Sequence, residues 1–356
     1  MYTTKFKCSV VTPMFMSGAD KRTPELRPSE FKGMMRFWWR AAKAENDITK
    51  LREEEAEIFG GTGESEGRSK VKIALKGQSP PVGKDISDEI KDFSGCKYLL
   101  YSTFALKTRG ERIIRKYIKS YYEFYITLEA LDENSFKHAL CSLWLAIYLG
   151  GFGTRARRGG GCLSVKEDSG NPIGLNFKAT AKSESELSKW ISINLSKIKS
   201  IIETVGTSKY TNLSESKILI LKPRENWIDA LNCIGEKFCT FRNDNKSSLW
   251  EMAAFGMPIM HMHSGFRIRM VPYNENNRIS ERLCSPLIIK VIKSGSLYFP
   301  AVIRLNFDVG RVGKERRNRD WQKAEIKDIK QISQESFEKF LNTLENNAEE
   351  ILYEQL

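Results

Sequence analysis

Two stretches near the start of the chain decide the fold, KFKCSVV at residues 5–11 and SEFKGMMRFWWRAAK at residues 29–43. The first alternates polar and apolar residues, which is typical of a half-buried strand. The second repeats apolar residues at helical spacing and follows Pro28, a residue favoured in the first turn of a helix. The chain therefore begins with a strand followed by an amphipathic helix.

The residues after this helix predict the rest of a first unit. A loop is expected after Lys43, and apolar periodicity predicts a helix at 132–149 with Asp132 as its cap. Runs rich in β-branched and aromatic residues predict strands at 71–75, 98–106, 122–128 and 162–166. Strand, helix, strands, helix, strand is the βαββαβ order of a ferredoxin-like unit, in which two helices cover one face of the sheet and leave the other for binding.

A second unit of similar order is expected in the remainder of the chain. A strand at 218–221 precedes a helix at about 227–241, and strands at 287–292 and 297–307 flank the hairpin signal Ser294-Gly295-Ser296. A last helix is predicted at 333–352. We expect an α+β protein of two tandem ferredoxin-like domains, with the following bounds: residues 1–180 and 213–356, joined by a helical linker at 181–212.

The charge of the chain indicates an anionic partner. Its 356 residues carry a net charge of +13, and residues 333–356 hold six Glu against one Lys, so the rest of the chain carries +18. Such an excess predicts contact with a nucleic acid or an anionic surface. The longest apolar run, 139–149, is too short to span a bilayer, and the seven cysteines are scattered without a CxxC pair. These features predict a cytoplasmic protein without membrane contact.

The helix at 29–43 carries the first candidate binding surface. A helical wheel places an indole inside a basic stripe and puts Met34 and Trp38 on an opposite, apolar face. Cations neutralise phosphates and an indole stacks on an unpaired base, so this face is predicted to bind single-stranded RNA through these residues: Lys32, Arg36, Trp39, Arg40 and Lys43. The alternative is that Trp39 lies at the edge of the core and that the cations are merely solvated.

The second candidate is the segment GGFGTRARRGGG at residues 150–161. Glycines let backbone N–H groups approach an anion, and Arg155, Arg157 and Arg158 add bidentate donors, so we expect an exposed loop that wraps phosphates. A formal dinucleotide fingerprint within it is rejected, because a helix precedes it and a strand follows. The alternative is a flexible connector with incidental charge.

Catalytic residues are not evident. The chain has three histidines, and His261 and His263 lie in an apolar run while His138 is expected at a helix surface. No cysteine pair has zinc spacing, so neither a metal nor a cofactor is expected. We therefore predict a protein that is not an enzyme.

Several motifs resemble a known family. TPMFMSGAD at 12–20 and ELRPSEFKGMMRFWWRA at 25–41 are similar to the N-terminal signature of the first subunits of type III-B CRISPR effectors, the Cmr complexes, in the RAMP superfamily. IFG at 58–60, the 150–161 loop, AFGMP at 254–258 and RLCSPLIIK at 282–290 fit the same superfamily.

The resemblance implies a chain of two ferredoxin-like domains that binds guide RNA and target RNA with other Cmr subunits, while another subunit cleaves. It carries RNA contacts over to Lys32, Arg36, Trp39 and Arg40 and to the three loop arginines. Arg316 and Arg317, in the segment RVGKERRNR at 311–319, are assigned to RNA on charge alone, with solvated surface as the alternative. Two further alternatives stay open: a metal-independent endoribonuclease that processes guide RNA, and a scaffold that contacts only proteins.

Overall fold

The structure is a computed structural model. It describes residues 1–20, 22–64, 66–104, 106–108, 111–206, 208–263, 266–273, 282–307, 310–318, 324–332, 334–345 and 348–356. For 106–108, 111–113, 260–263, 266–267, 316–318, 324–327 and 345 the description covers the backbone alone.

Strands and helices alternate along both halves of the chain. The first half holds β1 (Tyr2–Val10), α1 (Pro28–Lys43), α2 (Ile48–Phe59), β2 (Val71–Lys76), β3 (Val82–Gly83), α3 (Ser94–Leu100), β4 (Leu106–Thr108), β5 (Glu111–Ile113), β6 (Tyr117–Ile118), β7 (Glu123–Ala130), α4 (Glu133–Tyr148), β8 (Leu163–Asp168) and α5 (Glu184–Ile202). The second half holds β9 (Asn212–Leu221), α6 (Trp227–Asp244), α7 (Leu249–Ala253), β10 (Ile259–His263), β11 (Phe266–Tyr273), β12 (Leu287–Ser294), β13 (Leu297–Asn306), β14 (Arg311–Asn318), β15 (Ala324–Gln331), α8 (Glu335–Glu345) and β16 (Ala348–Leu352).

The two halves repeat one sheet topology. The first sheet has the order β2-β7-β1-β8 and the second the order β12-β13-β9-β16, and all their pairings are antiparallel. In the first sheet β1 lies between β7 and β8, and in the second sheet β9 lies between β13 and β16. In chain order, the first strand of each sheet therefore lies between the third and the fourth. A third sheet has the order β10-β11-β14-β15. Its strands come before and after the β12–β13 hairpin in the sequence of the second half.

Short-range capping signals fix several helix starts. Asp132 accepts a hydrogen bond from Ser135 N at 2.8 Å at the start of α4, as the sequence predicts. Ser183 and Asn226 cap α5 and α6 in the same way. Asp47 caps α2 by accepting from Thr49 N at 2.9 Å. Each cap satisfies a backbone N–H that has no partner within its own helix.

The sheets and helices form alternating layers. Helices α1 and α4 cover one face of the first sheet, and α1 and α5 also contact the second sheet. Helices α6 and α8 cover the opposite face of the second sheet, and α3 packs on α6. The second sheet is thus buried on both faces, so the expected free face exists only on the first sheet, where Lys5 and Tyr125 are exposed.

Three sequence-based element predictions are wrong. The expected loop after Lys43 contains α2. The expected strand at 98–106 begins instead with the end of α3 and a 3-10 helix at Tyr101–Thr103. Asn232 Oδ1 of α6 favours this helix by accepting hydrogen bonds from the first backbone N–H groups of α3. The expected last helix ends at Glu345, and Ala348–Leu352 pairs instead with β9. The decisive partners of α3 and β16 lie far away in the sequence.

No helix within the described ranges is long and apolar enough to cross a membrane.

Candidate functional site

A cleft of about 830 Å³ lies where the two halves of the chain meet. Helix α1, the 150–161 loop, α3, α6 and the segment before β12 form its walls. None of the described lining residues is acidic or histidine. The cations that line the cleft are five arginines: Arg155, Arg157, Arg158, Arg242 and Arg282. Aromatic and apolar side chains fill the space between them. The cleft therefore combines positive charge with apolar surface.

Two of the loop arginines, Arg157 and Arg158, reach across the boundary between the halves, while Arg155 bonds to α3 within the first half. The guanidinium of Arg155 donates to Leu99 O at 2.7 Å through Nε. Arg157 donates to Ser285 O, and Arg158 donates to Leu287 O at 2.7 Å. The backbone joins the same contact, since Ile289 N donates to Arg157 O at 3.2 Å. The bonds of Arg157 and Arg158 fasten the loop to the edge of β12, and that of Arg155 fastens it to α3.

The guanidinium groups also lie against aromatic rings. Arg155 lies 5.1 Å from the ring centre of Tyr101, and Arg157 lies 5.1 Å from that of Phe37. Arg242 lies 5.8 Å from the ring centre of Phe238, which Arg158 also approaches, at 5.4 Å. Such stacking orients the cations and shields them from water.

These cations lack a full negative charge beside them. Among the ion pairs of the described residues, none involves Arg155, Arg157, Arg158 or Arg242, whose partners are carbonyl oxygens and rings. Desolvation, together with the charges of Arg155 and Arg242, lowers the pKa of Arg158 to about 9. Burial likewise lowers the pKa of Arg155 and of Arg157. An anion in the cleft would stabilise their charged forms.

The 150–161 segment is an ordered turn, so the expectation of an exposed, freely wrapping loop is wrong. Phe152 N donates to Gly161 O at 3.0 Å, and Thr154 N donates to Phe15 O at 2.8 Å. Gly161 has a φ of +63°, and a Cβ there would lie 1.9 Å from Phe152 O. This glycine lets the segment close on itself, and the closed turn directs Arg157 and Arg158 at the other half of the chain.

The basic stripe of α1 faces α2, contrary to the sequence-based interpretation. Glu55 of α2 accepts from Arg36 Nε at 2.5 Å and from Arg40 Nη1 at 2.6 Å. Lys43 is buried and lies 2.8 Å from the carboxylate of Glu54. Lys32 donates to Val71 O at 3.1 Å. The stripe is occupied by protein partners because α2, expected to be a loop, brings its carboxylates against it.

Trp39 belongs to the core, and its predicted place on an open face is wrong. It is 1% exposed, and its Nε1 donates to His138 Nδ1 at 3.0 Å. His138 was expected at the surface but is half-buried, and desolvation lowers its pKa. The alternative interpretation from the sequence, in which Trp39 belongs to the core, therefore agrees with the structure.

Several residues of the cleft were missed from the sequence. Met34 was assigned to the core and Phe37 to neither face, although both line the cleft one turn apart on α1. Tyr98 and Tyr101 were placed in a strand, and Arg242 lies just beyond the end predicted for its helix. The one local signal that could have identified Arg242 as a site residue was its position as a basic residue in the last turn of an aromatic-rich helix.

Two further sequence predictions lie outside the described part of the chain. Arg316 and Arg317 belong to β14 and their side chains are not described, as is also true of His261 and His263 in β10. Assignment of the two arginines to RNA stays a prediction.

Comparison with known proteins finds relatives in one group. A family model described as the RAMP superfamily matches residues 7–164. The CRISPR system Cmr subunit Cmr1-2 of Pyrococcus furiosus is 35% identical over 185 aligned positions, covering 47% of this chain and 96% of that protein. Subunit Cmr1-1 of the same organism is 27% identical over 313 positions, covering 83% of this chain and 85% of that protein.

Solved structures share the fold. The crystal structure of Cmr1 from Pyrococcus furiosus in its apo form matches with a TM-score of 0.63 at 24% identity, covering 86% of this chain and 88% of that one. A chain in the cryo-EM structure of the Type III-B Cmr-beta bound to cognate target RNA matches with a TM-score of 0.56 at 14% identity, covering 97% and 99%.

Proposed function

The chain belongs to the Cmr1 family of CRISPR Cmr subunits within the RAMP superfamily, and from this premise we propose that its cleft holds the backbone of single-stranded RNA. The observation that carries the proposal is the group of four cleft arginines, Arg155, Arg157, Arg158 and Arg242, whose partners among the described residues are carbonyl oxygens and rings. Guanidinium groups bind phosphates bidentately, and aromatic rings between them suit unpaired bases. The RNA would be the guide, the target or both.

We infer that each half of the chain is a ferredoxin-like unit. The strand order, with the first strand between the third and fourth, and the two crossing helices on one face support this in both sheets. On this arrangement the RNA lies between two tandem units, and the cleft depends on both.

The proposed role is binding within a type III-B ribonucleoprotein, together with other Cmr subunits, and not cleavage. One structural relative was imaged in a Cmr assembly bound to cognate target RNA, which supports such a partnership. The arginines and rings of the cleft hold and orient a phosphate chain. The described lining of the cleft holds no histidine, carboxylate or lysine, which are the commonest general bases for cleavage.

The test is binding of labelled single-stranded RNA to the full chain over a series of salt concentrations. Arg155→Ala and Arg242→Ala remove cations that contact Leu99 O and the rings of Tyr101 and Phe238, away from the β12 edge. If both contact phosphates, the double variant flattens the slope of log K against log salt by about 1.4, at about 0.7 per contact. Arg68→Ala, at an exposed position outside the cleft, is the charge-matched control and leaves the slope unchanged.

Each alternative function has its own outcome. An unchanged slope in the folded double variant overturns the assignment of RNA to the cleft. RNA cleavage by the purified chain in EDTA would favour the guide-processing endoribonuclease. Absence of RNA affinity at low salt would favour a scaffold that contacts only proteins.

A further inference from the structure

Arg115 is a half-buried cation that lies beside the 150–161 loop but outside the cleft. It stands just before β6, and its Nη1 donates to the hydroxyl of Thr154 at 3.2 Å. Thr154 is not among the described residues that line the cleft, although its neighbours Gly153 and Arg155 are. The guanidinium of Arg115 is therefore attached to the turn that carries the cleft arginines, beyond the cleft itself.

The backbone of Arg115 is held at the rim of the cleft. Arg115 N donates to Thr103 O at 2.8 Å. Thr103 ends the 3-10 helix that begins at Tyr101, which lines the cleft and is 50% exposed. The Tyr101 ring in turn lies against the guanidinium of Arg155. Arg115 is thus bonded to both segments that supply this rim pair of Tyr101 and Arg155.

No protein anion neutralises Arg115 in the described part of the chain. Its side chain donates to the Thr154 hydroxyl and takes part in no ion pair among the described residues. The carboxylate of Glu89 is engaged by the hydroxyl of Tyr117, two residues beyond Arg115. A guanidinium has five N–H donors, and although the Nε–H of Arg115 is enclosed, Thr154 takes only one of the others. Donors and charge are left for an anion from solvent.

We propose that Arg115 and Thr154 form a phosphate-binding site outside the cleft, which holds the backbone of the RNA strand where it leaves the cleft past Tyr101 and Arg155. The guanidinium supplies the charge, and the Thr154 hydroxyl, which accepts from Arg115, donates its own proton to a phosphate oxygen. The inference rests on the proposed function. It adds a second contact region and the side on which the strand leaves the cleft.

The test measures the salt dependence of binding to the full chain for single-stranded RNAs of about 4 and about 16 nucleotides, the span of common single-strand site sizes. Arg115→Gln removes the charge and Arg115→Lys keeps it. With the longer strand, Arg115→Gln should flatten the slope of log K against log salt by about 0.7, the share of one phosphate contact, and Arg115→Lys should keep the wild-type slope. With the shorter strand, which on this proposal stays in the cleft, Arg115→Gln should match the wild type.

Two further variants separate the site from a merely structural contact. Thr154→Val removes the hydroxyl without a change of charge, and it should weaken binding of the longer strand at least about fivefold, as expected for a lost hydrogen bond to a charged group. Arg68→Gln removes the same charge as Arg115→Gln at an exposed position outside the cleft, and it should change neither strand's binding.

The inference is overturned if folded Arg115→Gln keeps the wild-type slope with the longer strand or flattens the slope equally with both strands. It is also overturned if Arg115→Lys or Arg68→Gln flattens the slope as much as Arg115→Gln does, since the effect would then not come from a charge at this site. Should Arg115→Gln fail to fold, wild-type affinity of Thr154→Val for the longer strand overturns it.

Failure of the proposed function gives a different result. If the cleft does not hold RNA, the double variant Arg155→Ala and Arg242→Ala binds both strands as the wild type does. If the cleft holds RNA but the strand leaves it elsewhere, that double variant weakens binding of both strands while the Arg115 and Thr154 variants weaken neither.

Discussion

Trp39 lies one residue after Trp38 but turns away from the cleft into the core, so its substitution should act on stability. Trp39→Ala is expected to lower the free energy of unfolding by about 3–5 kcal/mol, because it removes a buried indole and the donor to His138. Urea denaturation measures this, with Trp39→Phe as the milder comparison. Loss of RNA affinity at unchanged stability would instead restore the basic stripe of α1 as an RNA surface.

Lys290 is a buried cation whose hydrogen-bond partners are backbone carbonyls. It donates to Ile147 O at 2.6 Å and to Gly150 O at 2.8 Å, so it ties β12 to the end of α4. Burial lowers its pKa from 10.5 to about 8. Between these values the unfolded chain binds the extra proton, and stability therefore rises with pH.

The pH dependence of Lys290→Met tests this. Between pH 8 and 10.5 the wild type should gain about 3 kcal/mol relative to the variant, since each pKa unit corresponds to about 1.36 kcal/mol. Subtracting the variant cancels the buried thiols, which act in the opposite direction. A difference that stays constant across this range would show that Lys290 titrates normally in the folded chain.

Helix α1 presents three faces where its sequence suggests two. One face packs on the first sheet through residues such as Phe31 and Met35, and a second pairs with α2. The third, with Met34 and Phe37, lines the cleft. A helix enclosed on several sides uses its cations for internal pairing, which leaves the cleft charge to the 150–161 loop and α6.

The crossing of α3 and α6 requires glycine at its contact point. A Cβ on Gly235 would lie 2.4 Å from Gly95 O, whereas a Cβ on Gly33 of α1 would meet nothing within 4 Å. Gly235→Ala should therefore destabilise the chain by about 1–3 kcal/mol through overpacking. Gly33→Ala should stabilise it by about 0.5–1 kcal/mol through helix propensity. Denaturant unfolding compares them, and equal effects would contradict the close crossing.

At the scale of the whole molecule, the two halves depend on each other. The second sheet buries one face against α1 and α5, and its Ile218, Ile220 and Ile288 belong to the same apolar core as Phe6 of β1. A fragment of residues 213–356 would expose that face to water. We therefore expect that the two domains predicted on either side of 181–212 do not fold independently of each other.

Unfolding of the full chain should accordingly show one cooperative transition, and the 213–356 fragment should lack one. Circular dichroism and calorimetry of both proteins check this. A fragment that melts cooperatively by itself would show that the helices of the first half are dispensable for the second.

Local sequence determined much of the fold. The alternation in β1, the helical periodicity of α1 and α4, the Asp132 cap and the Ser294-Gly295-Ser296 hairpin are all short-range signals, and the structure has each of them. The motif at 12–41 also indicated the family that the comparisons show. The 150–161 loop was recognised as a candidate site, and it lines the cleft, although its contact with RNA stays a prediction.

Only the tertiary structure decided which way the charged residues face. Glu55 pairs with Arg36 and Arg40 because the chain turns back into α2, which the sequence did not predict. Arg157 donates to the carbonyl oxygen of Ser285, which is 128 residues away in the sequence. Asn232 starts α3 in the same non-local way. Helical and strand periodicity report burial along one segment, whereas the partner of a charge or a donor is set by packing between segments, which no local pattern encodes.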